Sequence, residues 1–157
     1  MPPPTPVSAR SAWPSGNAAP GEKIPPADGV VTLRSSHGPE ETMKRLEAAV
    51  KAKGLYVFAR VDHAASSTAS EFPLRPTDLL IFGAAKVGTR LMQSAQTVGL
   101  DLPWKALVWQ DDLGDTWVSY NDPEWLAKRH RLDSRAEPAI RAAAAALEAI
   151  TAAATAS

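Results

Sequence analysis

The stretch Trp104-Lys105-Ala106-Leu107-Val108-Trp109-Gln110, Asp111-Asp112-Leu113-Gly114-Asp115, Thr116-Trp117-Val118-Ser119-Tyr120 sets two β-rich runs on either side of a polar loop with one glycine. Aromatic and β-branched residues suit a pleated, half-buried surface, and such a loop lets the chain reverse. The stretch therefore reads as an antiparallel hairpin, with Trp109 and Trp117 able to share a face. This hairpin decides the fold class. The segments before it alternate strand and helix, which alone would suit a doubly wound parallel sheet; an antiparallel pair late in the same chain makes the protein α+β.

Working outward, Leu79-Leu80-Ile81-Phe82 reads as a strand ended by Gly83, and the spacing predicts a helix from about Lys86 to Gln96 with Val87, Leu91 and Ala95 inward. Leu55 to Val61 alternates, which puts Leu55, Val57, Ala59 and Val61 on one face and Tyr56, Phe58 and Arg60 on the other. Asp62 precedes His63-Ala64-Ala65 as the cap of a short helix, broken by Pro73 and Pro76. Val30 to Arg34 suits a first strand. Gly38-Pro39-Glu40-Glu41 through the closing Gly54 carries a first-turn proline, early acids, late lysines and a terminal glycine, the signals of one helix. Downstream, Asp122-Pro123-Glu124 opens a helix to about Arg131. From Ala136 onward 12 of 22 residues are alanine, and Ile140, Leu147 and Ile150 form one stripe. Alanine has the best helix propensity, and so narrow a stripe favours close packing on a sheet or another helix.

The 157 residues suffice for one domain with an apolar core, and 45% apolar with 22% charged residues is a globular composition. Seventeen basic against 17 acidic residues leaves no basic excess for phosphates, so nucleic acid is not expected as a partner. The absence of cysteine removes disulfides, thiol nucleophiles and thiolate metal sites. Eight of the 14 prolines fall in residues 1–28, a stretch nearly free of aliphatic residues; it reads as a disordered arm in which Trp13 is an exposed aromatic, followed by a single domain over 29–157. No apolar h-region follows Met1 and no run reaches the length of a membrane span, so the expectation is a soluble, cytoplasmic protein.

Several constellations could carry chemistry. Gly83 and Gly88 have the spacing of a phosphate loop, but Thr89 stands where a nucleotide-binding lysine belongs and Lys86 lies inside the loop. What remains is a strand-to-helix turn whose amides, with Lys86 and Thr89, could hold a small anion or carboxylate. Asp62, His63, Asp122 and His130 form an alternative polar set for acid–base or metal chemistry, although Asp62 and Asp122 also read as helix caps and His130 as a favourable cation at a helix end. His37 reads as part of a helix start. No His-x-x-x-His or His-Glu pairing exists, and Asp111, Asp112 and Asp115 lack the spacing of a calcium loop, so no metal or cofactor is expected. No Gly-x-Ser-x-Gly elbow is present.

Three stretches are specific in combination: Leu79 through Gln93, Gly99-Leu100-Asp101-Leu102-Pro103-Trp104 through Trp109, and Tyr120-Asn121-Asp122-Pro123 with Leu126-Ala127 and Arg129-His130. With Thr42-Met43 and Asp62-His63-Ala64-Ala65, the chain resembles the bacterial and archaeal domain-of-unknown-function 302 family from about Val30 to Ile150. It departs from that pattern at Ala84-Ala85, where Asn-Pro is common, and at Glu71, where glycine is common. The resemblance implies one curved antiparallel sheet with helices on one face, in a β-α-β-β-β-β-α-like order with extra short helices, and frequent dimerisation. It implies no activity. The expectation is thus a non-catalytic homodimeric module binding a small ligand at Gly83, Lys86, Gly88 and Thr89. An enzyme or a metal- or redox-handling protein using His63, Lys86, Asp122 and His130 stands as the alternative.

Overall fold

The computed structural model describes residues 19–69 and 71–157, and its sheet begins within the stretch read above as an arm. Strand β1 (Lys23–Ala27) runs antiparallel to β2 (Val30–Arg34), with Ala27 opposite Val30. Between them Asp28 and Gly29 have φ of 52° and 79°, the left-handed pair that a two-residue hairpin turn needs to match strand twist. Gly29 is also required by space, because a Cβ there would lie 2.3 Å from the Trp125 ring. Pro25 and Pro26 are accommodated because β1 is an edge strand with a register shift between Ile24 and Ala27. Trp13 and the rest of residues 1–18 lie outside the described residues.

The chain continues through α1 (Pro39–Ala52), β3 (Tyr56–Asp62), α2 (His63–Ala69), β4 (Thr77–Gly83) and α3 (Ala85–Ser94). A 3-10 turn over Gln96–Asp101 leads to β5 (Trp104–Gln110), β6 (Thr116–Asn121), α4 (Pro123–Arg129) and α5 (Glu137–Thr155). The strands form one six-stranded sheet in the order β1-β2-β6-β5-β4-β3, every neighbouring pair antiparallel. The architecture is α+β. Its element order differs from the expected one by the added strand β1, which makes the chain open on a hairpin.

One expected face assignment is corrected. In β3 the register slips between Val57 and Ala59, so Val57 lies opposite the core residue Phe82 while Ala59 and Val61 lie opposite Ile81 and Leu79. A bulge inserts one residue and turns every later side chain to the other face. Arg60, expected on the outer face, thereby comes opposite Leu80 and reaches Glu47 of α1 at 3.7 Å.

Leu80, Phe82, Trp104, Ala106, Val108, Val118 and Tyr120 project from the sheet to one side. Met43, Leu46 and Val50 of α1, Leu91 of α3, Leu126 of α4 and the stripe Ile140, Leu147, Ile150 of α5 close over them. Burial of each such aliphatic or aromatic side chain contributes roughly 1.5–3 kcal/mol before ordering costs. On the opposite face Trp109 and Trp117 stack at 6.0 Å between centroids and 24° between planes. Trp117 is buried, and its Nε1 donates to Asp111 Oδ2 at 2.8 Å.

Candidate functional site

α3 starts one residue after β4 ends, so the junction is only Ala84 wide. Gly88 lies in the second turn of α3 rather than in a loop. The four loop residues are split by that helix. Lys86 faces a groove of about 480 Å³ between α3 and α5, while Gly83, Gly88 and Thr89 line a second cavity of about 240 Å³ on the other side. The two cavities share Ala84 and Trp104. They do not present all four groups to one point.

The groove is floored by Phe82 and Trp104 and walled on one side by Ala139, Ala142, Ala143 and Ala146 of α5. Alanine at this spacing leaves nothing beyond Cβ on the wall, so an apolar hollow remains where α3 and α5 diverge. On the other wall Lys86 and Arg90 stand one turn apart, both exposed. Among the described residues neither meets a carboxylate, and no acidic side chain lines the groove. Sequence reasoning alone names neither Arg90 nor the alanine wall as part of a site. The available signal was the Lys86/Arg90 spacing of four in a helix that contains no acid.

Asp62, His63, Asp122 and His130 are not brought together. Asp62 Oδ1 accepts from the Ala65 amide at 2.9 Å, and Asp122 Oδ1 from the Glu124 amide at 3.0 Å, so both are helix caps. They stand three strands apart in the sheet, a separation on the order of 15–20 Å. Asp62 instead borders a polar cavity with Glu40, Arg60, Thr77 and Asp78. His37 Nε2 meets the Ala156 carbonyl oxygen at 2.7 Å and so ties the start of α1 to the end of α5.

His130 belongs to a different cluster. Its Nε2 bonds the Asp101 carboxylate and its Nδ1 meets Thr97 Oγ1 at 3.0 Å. Arg129 Nη1 donates to both oxygens of Asp101, at 3.1 and 3.0 Å, while its guanidinium lies 5.9 Å above the Trp125 ring. The His130 and Asp101 side chains are only 6% and 14% exposed. Lys105 Nζ donates to the carbonyls of Asp101 and Pro103; burial lowers its pKa, against a raising pull from Asp101. Every group here is committed to a neighbour, and the result is a clasp between the 3-10 turn and α4.

The acidic hairpin turn is equally occupied. Asp111 Oδ1 accepts from the amides of Leu113 and Asp115, and Oδ2 accepts from Trp117. Burial pushes the Asp111 carboxyl up, but these bonds and Arg34 outweigh it and hold the group below its ordinary range. Among the described residues no group of three or more His, Cys, Asp or Glu side chains could hold a metal ion.

The model of the family termed domain of unknown function DUF302 matches residues 31–150. The chain belongs to the DUF302 family. Its fold matches the crystal structure of a conserved DUF302 protein from Bacillus stearothermophilus with a TM-score of 0.66 at 26% identity, over 82% of this chain and 97% of that one.

Curated relatives extend beyond the DUF302 fold. The chain is 47% identical over 114 residues to a Brucella suis protein named fluoride-specific ion channel FluC 1, covering 73% of this chain and 45% of that one. It is also 47% identical to a Brucella melitensis protein named fluoride-specific ion channel FluC 2, of which it covers 42%. The chain therefore spans less than half the length of the curated relatives it matches. Relatives this similar, named as fluoride-specific ion channels, overturn the expectation of a soluble, cytoplasmic module. The same finding displaces the small-ligand or dimerising function and its enzyme or metal-handling alternative. No helix among the described residues is long and apolar enough to cross a membrane.

Proposed function

We infer that this DUF302 chain serves a fluoride-specific ion channel as the part that stands beside the pore and acts on it. The observation that carries this reading is the extent of the match: 47% identity to fluoride-channel proteins over 114 residues that are under half of each relative. The chain's place is then at the membrane, held there by its channel partner. Lys86, with Gly83, Gly88 and Thr89 behind it, belongs to the surface through which it would act.

Growth of the cells that make the protein, across a fluoride series and with the chain deleted or restored, tests this reading. Deletion is expected to lower the tolerated fluoride concentration several-fold, with restoration by the intact chain. Equal tolerance in all strains, with equal internal fluoride, would overturn it.

A further inference from the structure

The groove between α3 and α5 combines three properties. Its floor is two large aromatic side chains, Phe82 and Trp104; its α5 wall is alanine; and its α3 rim carries two cations with no carboxylate among the described residues that line it. An apolar hollow of about 480 Å³ is large enough to receive part of another molecule. The second cavity extends the apolar surface past Ala84 to Phe58, which is 48% exposed.

We propose that this groove receives an amphipathic helix of the channel partner, one that carries carboxylates a turn apart beside small apolar side chains. The proposal rests on the functional reading above. Lys86 and Arg90 are four residues apart on α3, about 6 Å along its axis, so two carboxylates at the same spacing on an incoming helix can meet both. The alanine wall lets a helix backbone approach closely, at the short end of the usual 8–10 Å interaxial distance. Binding of this kind is recognition by anchors at successive turns of one face. In the Brucella relatives the matched segment and the rest of the named channel share one polypeptide. Tethering there gives an effective concentration of order millimolar, so a shallow groove suffices.

Photo-cross-linking in the cells that make the full chain tests this. A benzophenone amino acid replaces Ala142, which is exposed on the groove wall, or Lys44, which is exposed on α1, and the adducts are identified by peptide sequencing. The proposal expects the Ala142 probe to label a fluoride-channel segment bearing paired carboxylates, and labelling to fall at least tenfold in a Lys86→Glu, Arg90→Glu background. Both are exposed, so that background should fold, which circular dichroism checks. Channel labelling from Lys44 but not from Ala142, or unaffected by the charge reversal, would overturn the groove while leaving the functional reading standing. Labelling from Ala142 that reaches only lipid or a second copy of this chain would also overturn the groove. Failure of both probes to label any channel protein would count against the functional reading as well.

Discussion

Two pairs of basic residues, one on α3 and one at the end of α4, are used in opposite ways. Arg129 and His130, at the end of α4, share the carboxylate of Asp101, and both ring nitrogens of His130 have partners. Lys86 and Arg90, on α3, overlook aromatic and alanine surface with no carboxylate among the described residues that line the groove. A hydrogen-bonded pair that is largely shielded from water, as His130 and Asp101 are, is expensive to disturb, because removing one partner strands the other. A charge that is exposed and unpaired adds little to folding. The first arrangement holds the molecule together. The second leaves binding energy available to a partner.

Asp101→Ala should break the clasp and have the largest effect. It strands His130, which is 6% exposed, and frees Arg129, which is about half exposed. The cost should be about 2–3 kcal/mol after discounting for that exposure. Calorimetry should find a loss of roughly 5–10 °C in Tm; a change under about 1 °C would mean that the clasp is ornamental.

Asp111→Ala extends the contrast to the hairpin turn. It leaves the Nε1 of buried Trp117 without its acceptor and should cost about 1–2 kcal/mol. The sign with pH follows from the depressed carboxyl. A group whose folded pKa lies below its unfolded value of 3.8 contributes fully above that value and loses its contribution as pH falls through the folded one. The difference in stability between wild type and Asp111→Ala should therefore be constant above about pH 5 and shrink below about pH 4. Denaturant titrations at both ends of that range check the direction; a gap that widens on acidification would contradict it.

Lys86→Ala combined with Arg90→Ala should do least to the fold, within about 0.5 kcal/mol of wild type. A chemical denaturation midpoint that moves by more would show that the groove cations are structural and would erase the contrast.

Much of this architecture was legible in the residues. Gly38-Pro39-Glu40-Glu41, Asp122-Pro123-Glu124 and the stripe Ile140, Leu147, Ile150 carry local cap and periodicity signals that tertiary packing does not override, and the helices form where those signals put them. Two features escaped for identifiable reasons. Prolines 25 and 26 argue against a strand, but they weigh little at a sheet edge, and Asp28-Gly29 was itself a hairpin signal. The bulge after Val57 leaves no mark in an otherwise regular alternation, so alternation alone puts Ala59 and Val61 on the wrong face.

The site was less legible because it depends on long-range assembly. His130 meets Asp101 and Thr97 from 29 and 33 residues away, a partnership no local spacing announces. The groove exists because α5 crosses near α3, which places Ala142 opposite Arg90 across more than fifty residues of chain.

Fluoride efflux from membrane vesicles, followed with a fluoride-selective electrode, tests the central claim most directly. Vesicles come from cells that make the wild-type chain, no chain, or the Lys86→Glu, Arg90→Glu variant at matched channel content. Removing the chain should change the efflux rate several-fold, and the charge-reversed variant, though folded and present, should behave as if the chain were missing. Identical efflux from all three preparations would contradict it.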